Sequence, residues 1–108
     1  MENIIKVNDQ NFDEEVLICE LPVLVCFITK WCQSCYPTCL VADELSEEYN
    51  GRVKFVKVDI EESLKIADIY QITAVPTILV FQDSHATKRL ISYRDRGDLK
   101  MILDNLAA

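Results

Sequence analysis

The 108 residues are 50% hydrophobic and 27% charged, which suits one globular domain over 1–108 that buries its own core and argues against disorder. A formal net charge of -7 opposes the clustered Lys and Arg that a phosphate backbone requires, so nucleic acid is excluded as an expected partner. No apolar run is long enough to cross a membrane, and Met1 to Lys6 lack the basic start, apolar stretch and cleavage site of a secretory leader.

In chain order, Ile4 to Val7 reads as a short strand. An acidic helix is expected next, opened by Asn11 with Glu14 three residues on, in the manner of a capping box. Val23 to Ile28 is a continuous apolar run suited to a strand covered on both faces, central in its sheet. From Ser34 to Tyr49 the residues Cys35, Cys39, Ala42, Leu45 and Tyr49 recur at helical spacing, with Asp43, Glu44, Glu47 and Glu48 between them. Val53 to Val58 reads as a strand, Ser63 to Tyr70 as a helix and Thr77 to Phe81 as a strand. After a polar turn at Gln82 to His85, Lys88 to Tyr93 returns as an antiparallel partner. Asp95 then caps a last helix striped by Leu99, Ile102, Leu103 and Leu106. The order βαβαβαββα implies an α/β fold, one mixed sheet with helices on both faces.

The segment Trp31-Cys32-Gln33-Ser34-Cys35 stands where the central strand feeds a helix, in the region of an open sheet where ligands bind. With the helix beginning near Gln33 or Ser34, unpaired N–H groups and the dipole favour a thiolate on Cys32, the nucleophile candidate. Cys35, three residues on, is placed to attack a mixed disulfide formed on Cys32 and is the resolving candidate. The competing reading is a metal site: Cys-x-x-Cys also begins zinc knuckles, and Cys26 and Cys39 could complete four thiolates. A second such pair is absent from the sequence, and no metal is expected. Five cysteines without a leader point to reduced thiols and a cytoplasmic location. Cys19 and Cys39 read as small buried hydrophobes. Trp31 reads as contact surface beside the nucleophile, His85 as a solvated turn residue, and Glu14-Glu15, Glu47-Glu48 and Glu61-Glu62 as solvated acid pairs.

Trp-Cys-x-x-Cys after a buried strand, together with Phe27, Lys57, Asp59, Val75-Pro76-Thr77, Phe81 and the Leu99 to Leu106 helix, resembles the thioredoxin family over nearly the whole chain. The resemblance implies a thioredoxin fold and a protein-disulfide reductase that needs no bound cofactor. Its partners would be protein disulfides and a thioredoxin-reductase-type electron donor, and it would be a monomer. It also implies a cis Val75-Pro76 bond facing the dithiol, with Trp31, Val75 and Pro76 binding substrate and with Cys26 and Lys57 in support. The alternative is a non-catalytic module or a Cys-based metal scaffold on the same fold. Several positions depart from the family pattern: Gln33-Ser34 for Gly-Pro, Cys26 for a buried Asp, Ile28 for Trp, and Leu40 for a helix-kinking Pro. Pro37 stands near the helix start instead, where an irregular first turn is expected. Ala74, Ser84 and Ser92 occupy positions the family gives to glycine.

Overall fold

Strands and helices alternate along the chain in the computed structural model, which describes residues 4–92 and 95–107. The elements are β1 (Ile4–Val7), a short π-helical segment (Asp13–Leu17), β2 (Val23–Ile28), α1 (Cys35–Glu48), β3 (Lys54–Asp59), α2 (Leu64–Ile69), β4 (Thr77–Gln82), β5 (His85–Ile91) and α3 (Arg96–Ala107). The sheet order is β1-β3-β2-β4-β5. β1, β3 and β2 run parallel, while β4 and β5 are antiparallel to their neighbours. The apolar run Val23 to Ile28 is thus the middle strand, as its two-sided burial requires.

Alternation along the strands sends side chains to two cores. On one face Val25, Phe27, Val56, Val58, Leu79 and Phe81 pack against Phe12, Val16 and Ile66. On the other, Leu24, Cys26, Phe55 and Ile78 meet Ala42, Leu45 and Tyr49 of α1 and Leu99 and Leu103 of α3. The mixed sheet with helices on both faces is the expected architecture. Tyr49, wholly buried, ties α1 to α3 by donating its hydroxyl to Asp104, and Lys100 Nζ donates to the same hydroxyl oxygen at 3.2 Å.

Local details differ from expectation for identifiable reasons. The first helix has no capping box: the Asn11 side chain accepts from Asn8 N–H at 2.8 Å, an internal Asx bond that leaves Phe12 to lead a short π-helical segment. The hairpin turns tightly on Asp83 and Ser84, both left-handed with φ of 53° and 70°, so β5 already begins at His85. β5 is nearly all exposed, an edge strand whose polar residues give no alternation to read. Tyr93 lies outside the described residues. Pro37 breaks nothing, because it is the third residue of α1, where a backbone N–H has no acceptor within the helix. Cys19 and Cys39 are half-buried rather than core residues. Asp95 does cap α3, accepting from Asp98 N–H at 2.9 Å. α2 is capped from outside its own sequence, with the Asp9 carboxylate accepting from Lys65 and Ile66 N–H. Among the acid pairs, Glu15 is half-buried against Lys54 at 2.6 Å, and Glu62 lies between Lys6 and Lys30.

Candidate active site

β2 ends at Ile28, and a turn closed by Cys32 N–H on Thr29 O delivers Cys32 to the amino end of α1. The helix starts at Cys35 rather than at Gln33 or Ser34, so the two cysteines straddle its beginning. They form a disulfide, with their Cα atoms 5.3 Å apart. Cys35 N–H, the first donor of the helix, points at Cys32 Sγ from 3.1 Å, and Ser34 Oγ lies 3.5 Å from the same sulfur. Once the bond is reduced, these groups and the positive end of α1 stabilise a thiolate on Cys32. The two cysteines differ in access: Cys32 is half-buried, while Cys35 is only 3% exposed.

Trp31 is 79% exposed beside Cys32, a placement for contact rather than packing. The Val75-Pro76 bond is cis. Phe27 pairs with Thr77, so the Val75-Pro76 segment enters β4 at the sheet end where β2 runs out toward Cys32. Ser92 joins this end by donating its N–H to Pro76 O at 2.9 Å. Its φ of 78° is left-handed, so the backbone shape glycine usually serves is kept here by serine. Val75 and Pro76 are related to the sulfurs by this topology.

Cys26 and Lys57 are neighbours in register on β2 and β3. Cys26 is 2% exposed, and burial pushes its thiol far above the usual cysteine range, with the nearby Cys39 adding to the effect and Lys57 opposing it. Position 26 therefore carries a neutral group. Lys57 reaches a cleft of about 280 Å³ lined also by Ile4, Tyr36, Cys39, Leu40 and Asp43. A second cleft of about 190 Å³ is lined by Cys32, Cys35, Tyr36 and Cys39 together with Ile28, Thr29 and Lys30. Ser34, Tyr36 and Cys39 join the dithiol here, although the sequence offers Cys39 only as a possible thiolate ligand or a buried hydrophobe and marks no site role for Ser34 or Tyr36. Their helical offsets from Cys35 were the available signal, but a cysteine at i+4 reads equally well as core. Among the described residues, no group of three or more His, Cys, Asp or Glu side chains is arranged to hold a metal ion, and no helix is long and apolar enough to cross a membrane.

A mixed five-stranded sheet with a disulfide-forming Cys-x-x-Cys pair at the amino end of α1 defines a thiol-disulfide oxidoreductase. Residues 3–105 match the thioredoxin family model, and the chain belongs to the thioredoxin family. It is 43% identical over 99 residues to a thioredoxin of Synechocystis sp., covering 92% of each chain. It is 38% identical over 101 residues to thioredoxin C-2 of Corynebacterium nephridii, covering 94% of each. It is also 35% identical to a chloroplastic M-type thioredoxin of Triticum aestivum, with 96% of this chain matched but only 59% of that longer relative. The chain is a protein-disulfide reductase, and the metal-scaffold alternative is not favoured.

Proposed function

We propose that Cys32 attacks substrate disulfides and Cys35 resolves the resulting mixed disulfide, with Trp31, Val75 and Pro76 forming the substrate side of the site. The observation that carries this is the asymmetry of the pair: Cys32 is the more accessible residue and its sulfur receives the Cys35 N–H, while Cys35 is buried. In the first step the Cys32 thiolate bonds to one substrate sulfur, and the other leaves as a thiolate that takes up a proton. Cys35 then loses its proton and bonds to Cys32, expelling the second substrate thiolate. The protein gains the disulfide and the substrate gains two electrons and two protons. Cys26 and Lys57 support the pair from the sheet beneath it.

The oxidised form is returned to the dithiol by a thioredoxin-reductase-type donor. The protein works as a cytoplasmic monomer of one domain, carrying electrons in redox homeostasis. Support for the location comes from the cysteine usage, in which Cys32 and Cys35 form the disulfide and Cys19, Cys26 and Cys39 lie outside it. Reduction of a protein disulfide such as insulin tests the roles. Cys32→Ser abolishes turnover, and Cys35→Ser abolishes it while accumulating a covalent adduct on Cys32. An adduct on Cys35 in the Cys32→Ser protein, at the parent's rate, would reverse the assignment.

A further inference from the structure

The reaction requires Cys35 to lose a proton while buried, and the thiol behind it on β2 cannot take that proton. Cys26 is sealed in the core with its titration pushed far above the usual range, so it stays protonated wherever the protein works. A different acceptor must serve.

The two clefts meet at Tyr36 and Cys39, which line both. One holds Cys32 and Cys35. The other holds Asp43 and Lys57. Cys35, Cys39 and Asp43 follow one another at i, i+4 and i+8 of α1, so they lie along one helix face in steps of about 6 Å. Each cleft is far larger than the ~30 Å³ share of one water, and Tyr36 and Cys39 line both. The Asp43 carboxylate has an unusual position. Its Oδ1 is sealed from solvent and has no hydrogen-bond partner among the described residues. Burying a carboxylate oxygen without a partner is unfavourable, and the rest of the side chain lines the cleft that Lys57 shares.

We infer that Asp43 is the proton acceptor for the resolving step, taking the proton of Cys35 through water in the two clefts past Cys39, with Lys57 lining the same cleft. The inference rests on the resolving role of Cys35 proposed above. Charge balances: Cys35 thiol and Asp43 carboxylate become Cys35 thiolate and Asp43 carboxylic acid. The thiolate then closes on Cys32, the departing substrate thiolate is protonated by solvent, and Asp43 returns its proton to solvent. Because Asp43 acts through the clefts and not on the sulfur itself, it is a positioning residue. The titratable groups facing it are Cys39 and Tyr36 from α1 and Lys57 from β3, with Cys26 behind on β2. The α3 charges Arg96 and Lys100 are instead engaged with Glu44 and Glu48.

Stopped-flow reduction of a small aromatic disulfide by the full-length protein, followed across pH 5 to 9, separates attack from resolution. In Asp43→Asn, formation of the mixed disulfide keeps the parent rate. Its resolution slows about tenfold at neutral pH, less than the ~10²–10⁴ of a group in direct contact. Asp43→Glu, which keeps the carboxylate, holds the resolving rate within about twofold of the parent. In a Cys26→Asp background, where a carboxylate lies directly behind the dithiol, Asp43→Asn slows resolution by less than twofold. The inference is overturned if resolution in Asp43→Asn matches the parent across the pH range, or if attack and resolution slow together. It is also overturned if the tenfold loss persists in the Cys26→Asp background. Absence of any mixed disulfide on Cys32 in the parent protein would instead refute the proposed function.

Discussion

Replacing Cys26 by aspartate should speed resolution of the mixed disulfide and make stability strongly pH-dependent. Position 26 is 2% exposed, in the core between β2 and α1. Burial there raises a carboxyl pKa by up to ~3–5 units, and Lys57, adjacent in register, takes part of that back. A net rise of about 2–3 units is equivalent to roughly 3–4 kcal/mol, at about 1.36 kcal/mol per unit. The sign follows from linkage. Below the unfolded value of about 3.9 both states are protonated and the variant carries no ionisation penalty. The penalty grows as pH rises through the window up to the folded pKa and is complete above it, near pH ~7. Any packing change from Cys to Asp is independent of pH and cancels when the gap between parent and variant is compared at two pH values. Urea unfolding should therefore show a gap larger by roughly 2–3 kcal/mol at pH 8 than at pH 4.5, where about 1 kcal/mol of the penalty is already present, with the variant's melting midpoint about 10–15 °C further below the parent's at the higher pH. Stopped-flow fluorescence of Trp31 should show a faster resolving phase near neutrality. An equal stability gap at both pH values, together with an unchanged or slower resolving phase, would refute the reasoning that position 26 is buried behind the dithiol.

Brief iodoacetamide treatment of the reduced protein should modify Cys32 before Cys35 and Cys39, with Cys26 last; mass mapping that found Cys35 or Cys39 first would contradict the geometry of α1. Ser34→Ala removes the hydroxyl 3.5 Å from Cys32 Sγ and should raise the thiolate titration by up to about 0.7 units, the equivalent of one hydrogen bond of about 1 kcal/mol, as read from thiolate absorbance. Because burial holds the Cys26 thiol protonated in the folded state, the unfolded chain loses that proton first as pH rises past about 8.5, and stability then falls by about 1.4 kcal/mol per pH unit from this group alone. Cys26→Ala should flatten that alkaline decline relative to the parent in urea titrations at pH 8 and 10, and equal slopes would contradict it.

Much of the fold was legible because each strand carries the period its environment demands. Val23 to Ile28 and Thr77 to Phe81 are apolar without alternation, and both prove to be interior strands. Ala42, Leu45 and Tyr49 at one end of the α1 stripe, and Leu99, Leu103 and Leu106 in α3, give the helical period of faces turned to one core, while Cys35 and Cys39 line the dithiol cleft. What escaped was decided by partners distant in sequence or by competition among polar side chains. Asn11 and Glu14 spelled a cap, but Asn8, three residues earlier, took the Asn11 carbonyl first. α2 takes its cap from Asp9, more than fifty residues away. At the site, the sequence revealed Cys32 and Cys35 because their spacing is chemical. Tyr36, Cys39 and Asp43 stayed hidden because a helical offset does not say whether a face meets core or cleft.

Two departures from the family pattern lie at the amino end of α1 and on β2, the elements on either side of the turn that carries Cys32, and their placement bears on what each one does. Gln33-Ser34 brings a hydroxyl to Cys32 where Gly-Pro would bring none, favouring the attacking thiolate. With Cys26 the β2 core holds a neutral thiol where the family pattern places an acid, and under the proposed roles that disfavours the resolving thiolate. Left alone, the two departures would give a protein that captures substrate readily and releases it slowly, because the rate of exchange depends on how much of the attacking sulfur is thiolate. Ser92 keeps the left-handed backbone that glycine would adopt freely and holds Pro76 O, so the frame around the dithiol is preserved while its proton chemistry is altered. A carboxylate on α1 that restores proton transfer to Cys35 would offset the loss at position 26 without burying a charge in the sheet. Asp43 is the acidic residue lining the cleft that meets the dithiol cleft at Cys39 and Tyr36, which is why the substitution at 26 and the acid at 43 should be coupled in a double-mutant cycle rather than additive.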